Sequence, residues 1–504
     1  LYEIHDQIVN FNINSGAIEL PNQNGNNRAL YNNYLGIGDW SPRLGFAWSP
    51  GFLNGKTVLR GGYGISSYEE GGGANEELTQ NPPFFGASEQ PPKGADITTG
   101  FGPSTPPCAS ITFSCYAGKR IRVFDANFRP AMAQQWNLTI QHQFTRSLTG
   151  QIGYVGQHGT HLLNFMDVTQ LVGLNAQGTI AKPGQLIVSK VAGPYLGGGA
   201  AGSLYSADNS SLGGANAIAG STFSNASQRY DALQAVLKKT MGNGLEAQVA
   251  YTYSKCISNS PGYFGTGWGS TQAQSSGGQP GWQNAYDGKS DYGPCYFDQT
   301  HILSSYVTYA LPVGRGKQFG HDLPAALNAV VGNWEVSGIV TLHTGNALTF
   351  NEFGGWGNFQ GDPSGTNGIG NYFLSERPSC KGPIHNINKV VPANAATNTP
   401  GYIQWFDTSN VVDAAPNTFG TCSVGNARGP GYADTDLGLH KQFPIGEVKR
   451  LEFRFEALNA FNHRVLTFSG GPASGSFDPG SPVFGQITGS QGARQLQFGL
   501  KFYF

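Results

Sequence analysis

The chain has 504 residues, 12% of which are charged, and its formal net charge is −1. That near-neutral charge gives no electrostatic case for nucleic-acid binding. No run of about 18 apolar residues occurs, which excludes a transmembrane helix. The 73 glycines and 12% aromatic residues suit either membrane-spanning strands or a soluble all-β protein with long loops.

Alternating apolar and polar residues predict twelve β-strands along the chain. In chain order the predicted strands are 1–10, 42–49, 56–66, 132–144, 148–157, 229–241, 244–256, 301–311, 332–345, 433–443, 448–459 and 494–504. In the strand 448–459, Glu452, Arg454 and Glu456 alternate with apolar residues. A charged residue in mid-strand is costly toward lipid but acceptable toward a hydrated lumen. One side of each strand is therefore expected to face lipid.

The last strand carries the clearest pattern, because its alternation is strict to the final residue. Its apolar side comprises Leu496, Phe498, Leu500, Phe502 and Phe504. Its other side comprises Gln495, Gln497, Gly499, Lys501 and Tyr503. Trp136, Trp334 and Tyr503 lie near strand ends, where aromatic girdles occur in membrane barrels. We therefore predict that these three residues lie in such girdles.

The predicted links alternate between short and long. The short links are 50–55, 145–147, 242–243 and 444–447, and the long ones are 11–41, 67–131, 158–228, 257–300, 346–432 and 460–493. Such alternation sorts short periplasmic turns from long extracellular loops in outer-membrane barrels. The link 312–331 stands in a short position but is of intermediate length, and its segment 324–331 suggests one or two turns of helix.

Six cysteines without a C-x-x-C pair favour disulfides in an oxidising compartment over a zinc site. They are Cys108, Cys115, Cys256, Cys295, Cys380 and Cys422. Pairing in sequence order would close the loops 108–115, 256–295 and 380–422, although six cysteines allow 15 arrangements. Isolated buried thiols are the alternative. All six lie in, or at the edge of, the predicted long loops.

From residue 41 onward, a series of short motifs resembles the C-terminal barrel half of TonB-dependent outer-membrane receptors. The motifs are 41–48 (SPRLGFAW), 56–65 (KTVLRGGYGI), 134–138 (QQWNL), 230–234 (YDALQ), 251–255 (YTYSK), 298–301 (DQTH), 333–338 (NWEVSG), 456–463 (EALNAFNH) and the terminal Phe504. The similarity is closest to the Oar-like group, abundant in Acidobacteria, which has a carboxypeptidase-regulatory-like N-terminal domain. The resemblance implies a barrel of about 22 strands, of which residues 1–504 supply the C-terminal portion. It also implies a plug and an accessory domain, both absent from this chain, and energy coupling through the TonB complex. Closure of the twelve predicted strands into a barrel of their own is the alternative.

Aromatic residues among glycines and amides in the long loops are candidate ligand contacts, because such surfaces suit sugars and small amphiphiles. They are Trp268, Trp282, Tyr286, Trp356, Phe359, Tyr372 and Trp405. Packing of loop against loop over the barrel mouth is the alternative. Ser, His and Asp residues show no catalytic spacing, and no calcium or nucleotide loop is complete. We therefore expect no enzyme activity, cofactor or metal.

Together these patterns predict an all-β, antiparallel, up-and-down transmembrane β-barrel in the bacterial outer membrane, with lipid and an unknown extracellular ligand as its partners. The first functional hypothesis is uptake of a bulky nutrient, such as a saccharide or a peptide. The second is a surface-display or adhesion barrel that binds partners through its loops and transports nothing. A soluble extracellular all-β protein is the third. The coding sequence upstream of Leu1 would discriminate the first two, because transport requires a plug with a TonB-contacting segment.

Overall fold

The structure of the chain is a computed structural model. It describes residues 9–12, 17–26, 30, 40–68, 78, 121–165, 172–191, 218–242, 244–260, 282–350, 377–396, 400–415, 417–446, 448–468, 477 and 479–504. Within these ranges, no helix is both long enough and apolar enough to cross a membrane. Antiparallel β-strands account for most of the regular structure.

One large sheet contains eleven strands that follow one another in chain order, labelled β1 to β11. They are β1 Arg43–Trp48, β2 Thr57–Tyr68, β3 Ala131–Thr145, β4 Leu148–Phe165, β5 Ile218–Gly242, β6 Leu245–Ser258, β7 His301–Ala310, β8 Trp334–His343, β9 Tyr432–Ile445, β10 Lys449–Leu458 and β11 Gln495–Tyr503. The short strands Ile121–Phe124 and Gly293–Pro294 attach to β5 and β6.

Each strand pairs antiparallel with the strands that precede and follow it in the chain, which makes the sheet an up-and-down meander. The predicted fold class is confirmed, and eleven of the twelve predicted strands lie in this sheet. Of the twelfth, 1–10, all but the last two residues lie outside the described part of the chain. Asn10–Asn12 pairs with Ala17–Glu19 in a separate two-stranded sheet.

The links between strands alternate in length as predicted. Those after β1, β3, β5 and β9 are short, and those after β2, β4, β6, β8 and β10 are long. The short links therefore all lie at one end of the sheet, the turn end, and the long ones at the other, the loop end. In the turn before β6, Gly244 has φ +80°, and a Cβ there would lie 2.7 Å from the Ala310 carbonyl oxygen. Only glycine fits such a position without strain.

The link between β7 and β8 is the exception at the turn end. It spans residues 311–333 and contains the helix α1, Ala325–Val331. The helical turns suggested by the sequence are therefore confirmed. A shorter 3₁₀ turn, Gly51–Leu53, lies in the link between β1 and β2.

One side of the sheet, the apolar face, carries large hydrophobic side chains in register. Phe498 lies opposite Phe455, which lies opposite Leu439, which in turn lies opposite Val336. The exposed members of this face include Leu44, Phe46, Trp48, Leu138, Ile140, Ile152, Leu233, Leu237, Val249, Val307, Val336, Leu342, Leu437, Leu496, Phe498, Leu500 and Phe502. Monomeric soluble proteins rarely expose so continuous an apolar surface, which indicates contact with lipid.

The opposite side, the polar face, carries amides, hydroxyls and charges because alternation along each strand sends them there. Its members include Gln135, Asn137, Gln141, Gln151, Gln234, Lys238, Glu246, Gln248, Thr252, Ser304, Thr308, Glu335, Ser337, His440, Gln442, Glu452, Arg454, Glu456, Gln497 and Lys501. The face extends across the strands from β3 to β11. A sheet that is apolar on one side and hydrated on the other is what a barrel wall requires.

Segments at the loop end form a layer of small sheets, termed the cap. Its largest sheet has four strands in the order Asn386–Val391, Tyr402–Phe406, Gln486–Gln491 and Val465–Phe468. Three smaller pairs are Ala347–Leu348 with Ala427–Arg428, Ser379–Cys380 with Val411–Val412, and Val172–Leu174 with Ser189–Val191. The segment 282–298 also belongs to the cap. The main cap core consists of Leu348, Phe350, Phe406, Val411, Cys422, Ala427, Phe477 and Phe484.

Candidate functional site: the polar face and the cap

A network of ionisable side chains crosses the polar face on β8, β9 and β10. His440 lies between two carboxylates, with Nδ1 3.7 Å from Glu335 Oε1 and Nε2 3.8 Å from Glu456 Oε1. Further along β10, Arg454 Nε donates to Glu452 Oε1 at 2.5 Å. The groups meet because Glu335 and Arg454 are the two register partners of His440. Along this wall the Arg454 guanidinium is therefore paired with Glu452, and the His440 ring lies between Glu335 and Glu456.

The network continues to the turn end through Tyr503. Its hydroxyl donates to Glu452 Oε2 at 2.9 Å, and its ring lies 4.1 Å from the Arg450 guanidinium and 4.8 Å from Lys501 Nζ. Tyr503 therefore belongs to the polar face, and its predicted place in a girdle is wrong. Alternation decides this, because its neighbour Phe502 points to the apolar face.

The two tryptophans of the girdle prediction lie on the apolar face, as that prediction requires. Trp136 lies opposite Tyr63 and Gly156, and Trp334 lies opposite Lys441. The Trp136 ring would lie 2.3 Å from a Cβ at position 156. Glycine at that position therefore lets the ring lie flat against β4.

A cavity of about 240 Å³ opens at the loop end of β9, β10 and β11, lined in part by Tyr432, Asp434 and Asp436. The Tyr432 hydroxyl donates to Asp434 Oδ2 at 3.3 Å, and the Tyr432 ring stacks on His343 at 5.0 Å. The backbone N–H of Asn459 donates to Asp436 Oδ1 at 2.9 Å. Nowhere in the described ranges do three or more His, Cys, Asp or Glu side chains converge as a metal site. The cavity therefore offers hydrogen bonds and negative charge to a polar group.

A buried ion pair joins two segments of the cap. Arg377 and Asp291 form this pair, and each side chain is 1% exposed. Arg377 also donates from Nε to the Cys422 carbonyl at 2.8 Å and from Nη2 to the Ser290 carbonyl at 3.2 Å. Burial raises the pKa of Asp291, and the Arg377 charge acts against that rise. The pair holds the segment 282–298 against the segment that begins at 377.

A second ion pair fastens the cap to the strand ends. Arg428 Nη2 donates to Asp298 Oδ2 at 2.6 Å, and Asp298 Oδ1 accepts the backbone N–H of Cys256 at 2.7 Å. The carboxylate of Asp298 therefore binds both the loop end of β6 and the cap. Cys256 is also cross-linked to Cys295, so the ion pair and the disulfide together join the loop end of β6 to the cap.

The family of the chain is decided by its sequence. A family model described as "Outer membrane beta barrel domain" matches residues 1–497. The chain belongs to this family. The protein therefore lies in the bacterial outer membrane, its apolar face contacts lipid, and its polar face lines the interior. The soluble alternative is wrong for the same reason.

The solved structures that match the chain include two transporters and a siderophore receptor. The FrpB iron transporter of Neisseria meningitidis is 9% identical, with a TM-score of 0.35 over 91% of this chain and 38% of its own. The transporter YddB of Escherichia coli is 8% identical, with a TM-score of 0.37 over 92% and 40%. The siderophore receptor PirA of Acinetobacter baumannii is 11% identical, with a TM-score of 0.38 over 92% and 41%. The chain spans about two fifths of the length of these proteins. A search of curated proteins gives no match.

The outer-membrane barrel carries two of the three disulfides expected from pairing in sequence order. Cys256 pairs with Cys295, with their Cα atoms 5.4 Å apart. Cys380 pairs with Cys422, with their Cα atoms 4.7 Å apart. Both bonds lie at the loop end, which is the extracellular end of the barrel, where the oxidising environment keeps them formed. Cys108 and Cys115 lie outside the described residues.

Three of the seven candidate aromatic residues fall in the described part of the cap. Trp282 is buried, and its indole N–H donates to the Asn259 carbonyl at 2.8 Å. Trp405 packs beside the cap core and donates to the Arg428 carbonyl at 2.7 Å. Tyr286 is half-buried. The other four, Trp268, Trp356, Phe359 and Tyr372, lie outside the described residues.

Trp282 and Trp405 are thus packed within the cap. Ligand contact by any of the seven aromatic residues stays a prediction. The C-terminal strand lies where its alternation predicts, with Leu496, Phe498, Leu500 and Phe502 on the lipid-facing side. Sequence analysis did not find the Arg377–Asp291 pair or the bridge at His440. For His440, alternation within β9 gives the correct face, but the partners depend on register between strands.

Proposed function

We propose that the complete protein is a TonB-dependent receptor of the Oar-like group that imports a bulky nutrient, such as a saccharide or a peptide, across the outer membrane. In this proposal residues 1–504 are the wall and loops of a barrel of about 22 strands. A plug and an accessory domain are supplied by sequence upstream of Leu1. The plug side makes the contact with the TonB complex, and the chain binds no nucleic acid, cofactor or catalytic metal.

The observation that carries this proposal is the continuous polar face. It spans the strands from β3 to β11 and is densest in charge where Glu335, His440, Glu456 and Arg454 adjoin. A wall with these side chains borders water or polar protein, because charged groups are costly to bury in an apolar filling even when they are paired. It therefore supports a wide, hydrated interior suited to a polar solute that is larger than a simple ion.

The cap gives the second line of support. Two disulfides and the buried Arg377–Asp291 pair hold it as a folded layer over the strand ends. The cavity lined by Tyr432, Asp434 and Asp436 lies where the cap meets the polar face. A ligand captured by a fixed cap would meet hydrogen-bonding groups at the entrance, which favours binding before passage.

The test uses cells that express the full-length protein and fluorescent oligosaccharides and oligopeptides as probes. We expect accumulation that requires the protein and that is abolished by an uncoupler of the proton-motive force. The double variant Asp434→Asn with Asp436→Asn should weaken uptake, whereas Asp322→Asn, a change at a 94% exposed side chain of the turn end, should not. The proposal is wrong if the probes neither bind to the cells nor accumulate in them.

The cap also favours a second candidate function, surface display or adhesion, because a rigid extracellular layer is itself a binding platform. In that case probes or partner proteins would bind to cells, and no uncoupler-sensitive accumulation would follow. Reading the coding sequence upstream of Leu1 separates the two candidates further. A plug with a TonB-contacting segment supports transport, and a coding sequence without one supports display.

A further inference from the structure

The link between β7 and β8 is a folded segment with hydrogen bonds of its own and not a simple turn. The backbone N–H of Gly314 donates to the Phe319 carbonyl at 2.8 Å. The side chain of Asn328, on α1, accepts the backbone N–H of Arg315 at 2.7 Å and so ties the helix to the start of the link. A Cβ at Gly332 would lie 2.3 Å from Asn328 Oδ1. These contacts hold α1 against the rest of the link.

Two side chains of the lipid-facing surface fasten the C-terminal end of α1. Trp334 Nε1 donates to the Val330 carbonyl at 2.9 Å, and Lys441 Nζ donates to the Gly332 carbonyl. Lys441 is buried, with its ammonium 4.9 Å from the ring centres of both Trp334 and Phe443. A cation at the C-terminus of a helix donates hydrogen bonds to the free carbonyl groups there and interacts favourably with the helix dipole.

The position of these donors places the helix end. Trp334 and Lys441 are register partners, and Lys441 in turn lies opposite Phe453, so all three belong to the apolar face. The C-terminal end of α1 therefore lies against the lipid-facing side of the wall, at its turn-end rim. The turn end of an outer-membrane barrel is periplasmic.

The helix exposes apolar side chains at this rim. Its sequence, AALNAVV, contains no charged residue. Leu327 is 46% exposed and Val330 is 64% exposed, and two residues three apart lie on the same helix face. On the same link, Phe319 is 57% exposed and the basic residue Lys317 is exposed. The link thus combines an uncharged apolar helix face with exposed charged residues, Lys317 and Asp322 among them.

We propose that α1 is an interfacial membrane anchor, seated in the periplasmic leaflet of the outer membrane with Leu327 and Val330 toward the acyl chains. Lys317 then lies at the level of the phospholipid headgroups. Lipid is the occupant because the bare helix face continues the apolar face, which already contacts lipid, through Trp334 and Lys441. Helices of this kind lie in the plane of the interface and bury only their apolar side.

Nitroxide labelling tests the seating of the helix. Cysteine is introduced singly at Leu327, Val330 and Asp322 of the full-length protein, which is then labelled in phosphatidylethanolamine–phosphatidylglycerol vesicles. The unsubstituted protein taken through the same labelling sets the background from native cysteines. We expect the ratio of accessibility to oxygen over accessibility to a water-soluble nickel complex to be several-fold higher at 327 and 330 than at 322. Equal ratios at all three positions would overturn the proposal.

The outcome also separates lipid from a protein partner. If the labels at 327 and 330 are shielded from both oxygen and nickel, a protein or a second copy of the chain covers the helix, and the assignment to lipid is wrong. A measurement on the unsubstituted protein covers the case in which a labelled variant fails to fold. A membrane-soluble carbene photolabel should insert into the segment 325–331, and its failure to do so there, while it labels β11, would contradict the anchor.

Discussion

Replacement of Arg377 by methionine tests how the cap is held together. The side chain is 1% exposed, and besides its ion pair with Asp291 it donates to the carbonyls of Cys422 and Ser290. Methionine fills part of the volume but supplies neither charge nor donors. Asp291 then stays buried without the Arg377 charge, while the hydroxyl of Ser290 and the backbone N–H of Gln283 still donate to it.

The size of the effect follows from burial. Removing one partner of a buried ion pair costs about 3–5 kcal/mol, because the remaining charge stays desolvated. At about 1.4 kcal/mol per tenfold change, the population of the opened cap should rise by roughly 10² to 10⁴. The double variant Arg377→Met with Asp291→Leu should recover most of this loss, since an apolar pair of similar volume is close to neutral.

Limited proteolysis of the full-length protein in vesicles measures the opening, because cleavage tracks the population of the open form when reclosing is fast. The matched control is Arg229→Met. Arg229 also pairs with an aspartate, Asp231, but the two side chains are 59% and 32% exposed, so no change in cap cleavage is expected. An increase below about tenfold for Arg377→Met, or equal effects of both variants, would refute the argument.

Three further changes test other parts of the molecule. Phe498→Arg, on the lipid-facing side of β11, should lower the free energy of unfolding in vesicles by about 2–4 kcal/mol, whereas Gln497→Arg on the polar face should change it little; equal losses in urea titrations would count against the assignment of faces. Tyr503→Phe removes the hydrogen bond to Glu452 and should cost about 1 kcal/mol in the same titration, and an unchanged midpoint would contradict that contact. Cys380→Ser removes a cross-link between residues 42 apart and should destabilise the cap by about 4 kcal/mol; proteolysis of the cap at the rate of the unsubstituted protein would argue against this.

Much of the barrel wall could be predicted from sequence, because each strand's alternation is local information. The strand 494–504 shows both faces in its own residues, and β11 places Phe498 and Gln497 on opposite sides as expected. The lengths of the links likewise assigned a turn end and a loop end without reference to contacts. The same alternation places Tyr503 on the polar face, so a position near a strand end is not enough to put a tyrosine in a girdle.

The contacts between strands required the tertiary structure. The alternation of β9 assigns His440 to the polar face, but only the register with β8 and β10 brings Glu335 and Glu456 to its two ring nitrogens. A shift of one residue in either pairing would replace those partners, and that register depends also on the neighbouring strands and on the turns that join them. The cap shows the same limit, since Asp291 and Arg377 are 86 residues apart in the chain.

What the sequence determined by itself is the repeating element: strands with one apolar and one polar side, joined alternately by short and long links, in an order that gives an outer-membrane barrel. What only the tertiary structure decided is how charges and loops meet, as at His440, at the Arg377–Asp291 pair, and where Trp334 and Lys441 hold the end of α1. The physical reason is the distance along the chain over which each kind of information acts. Burial periodicity acts along one strand, whereas a buried charge must find its partner through the register and folding of distant segments.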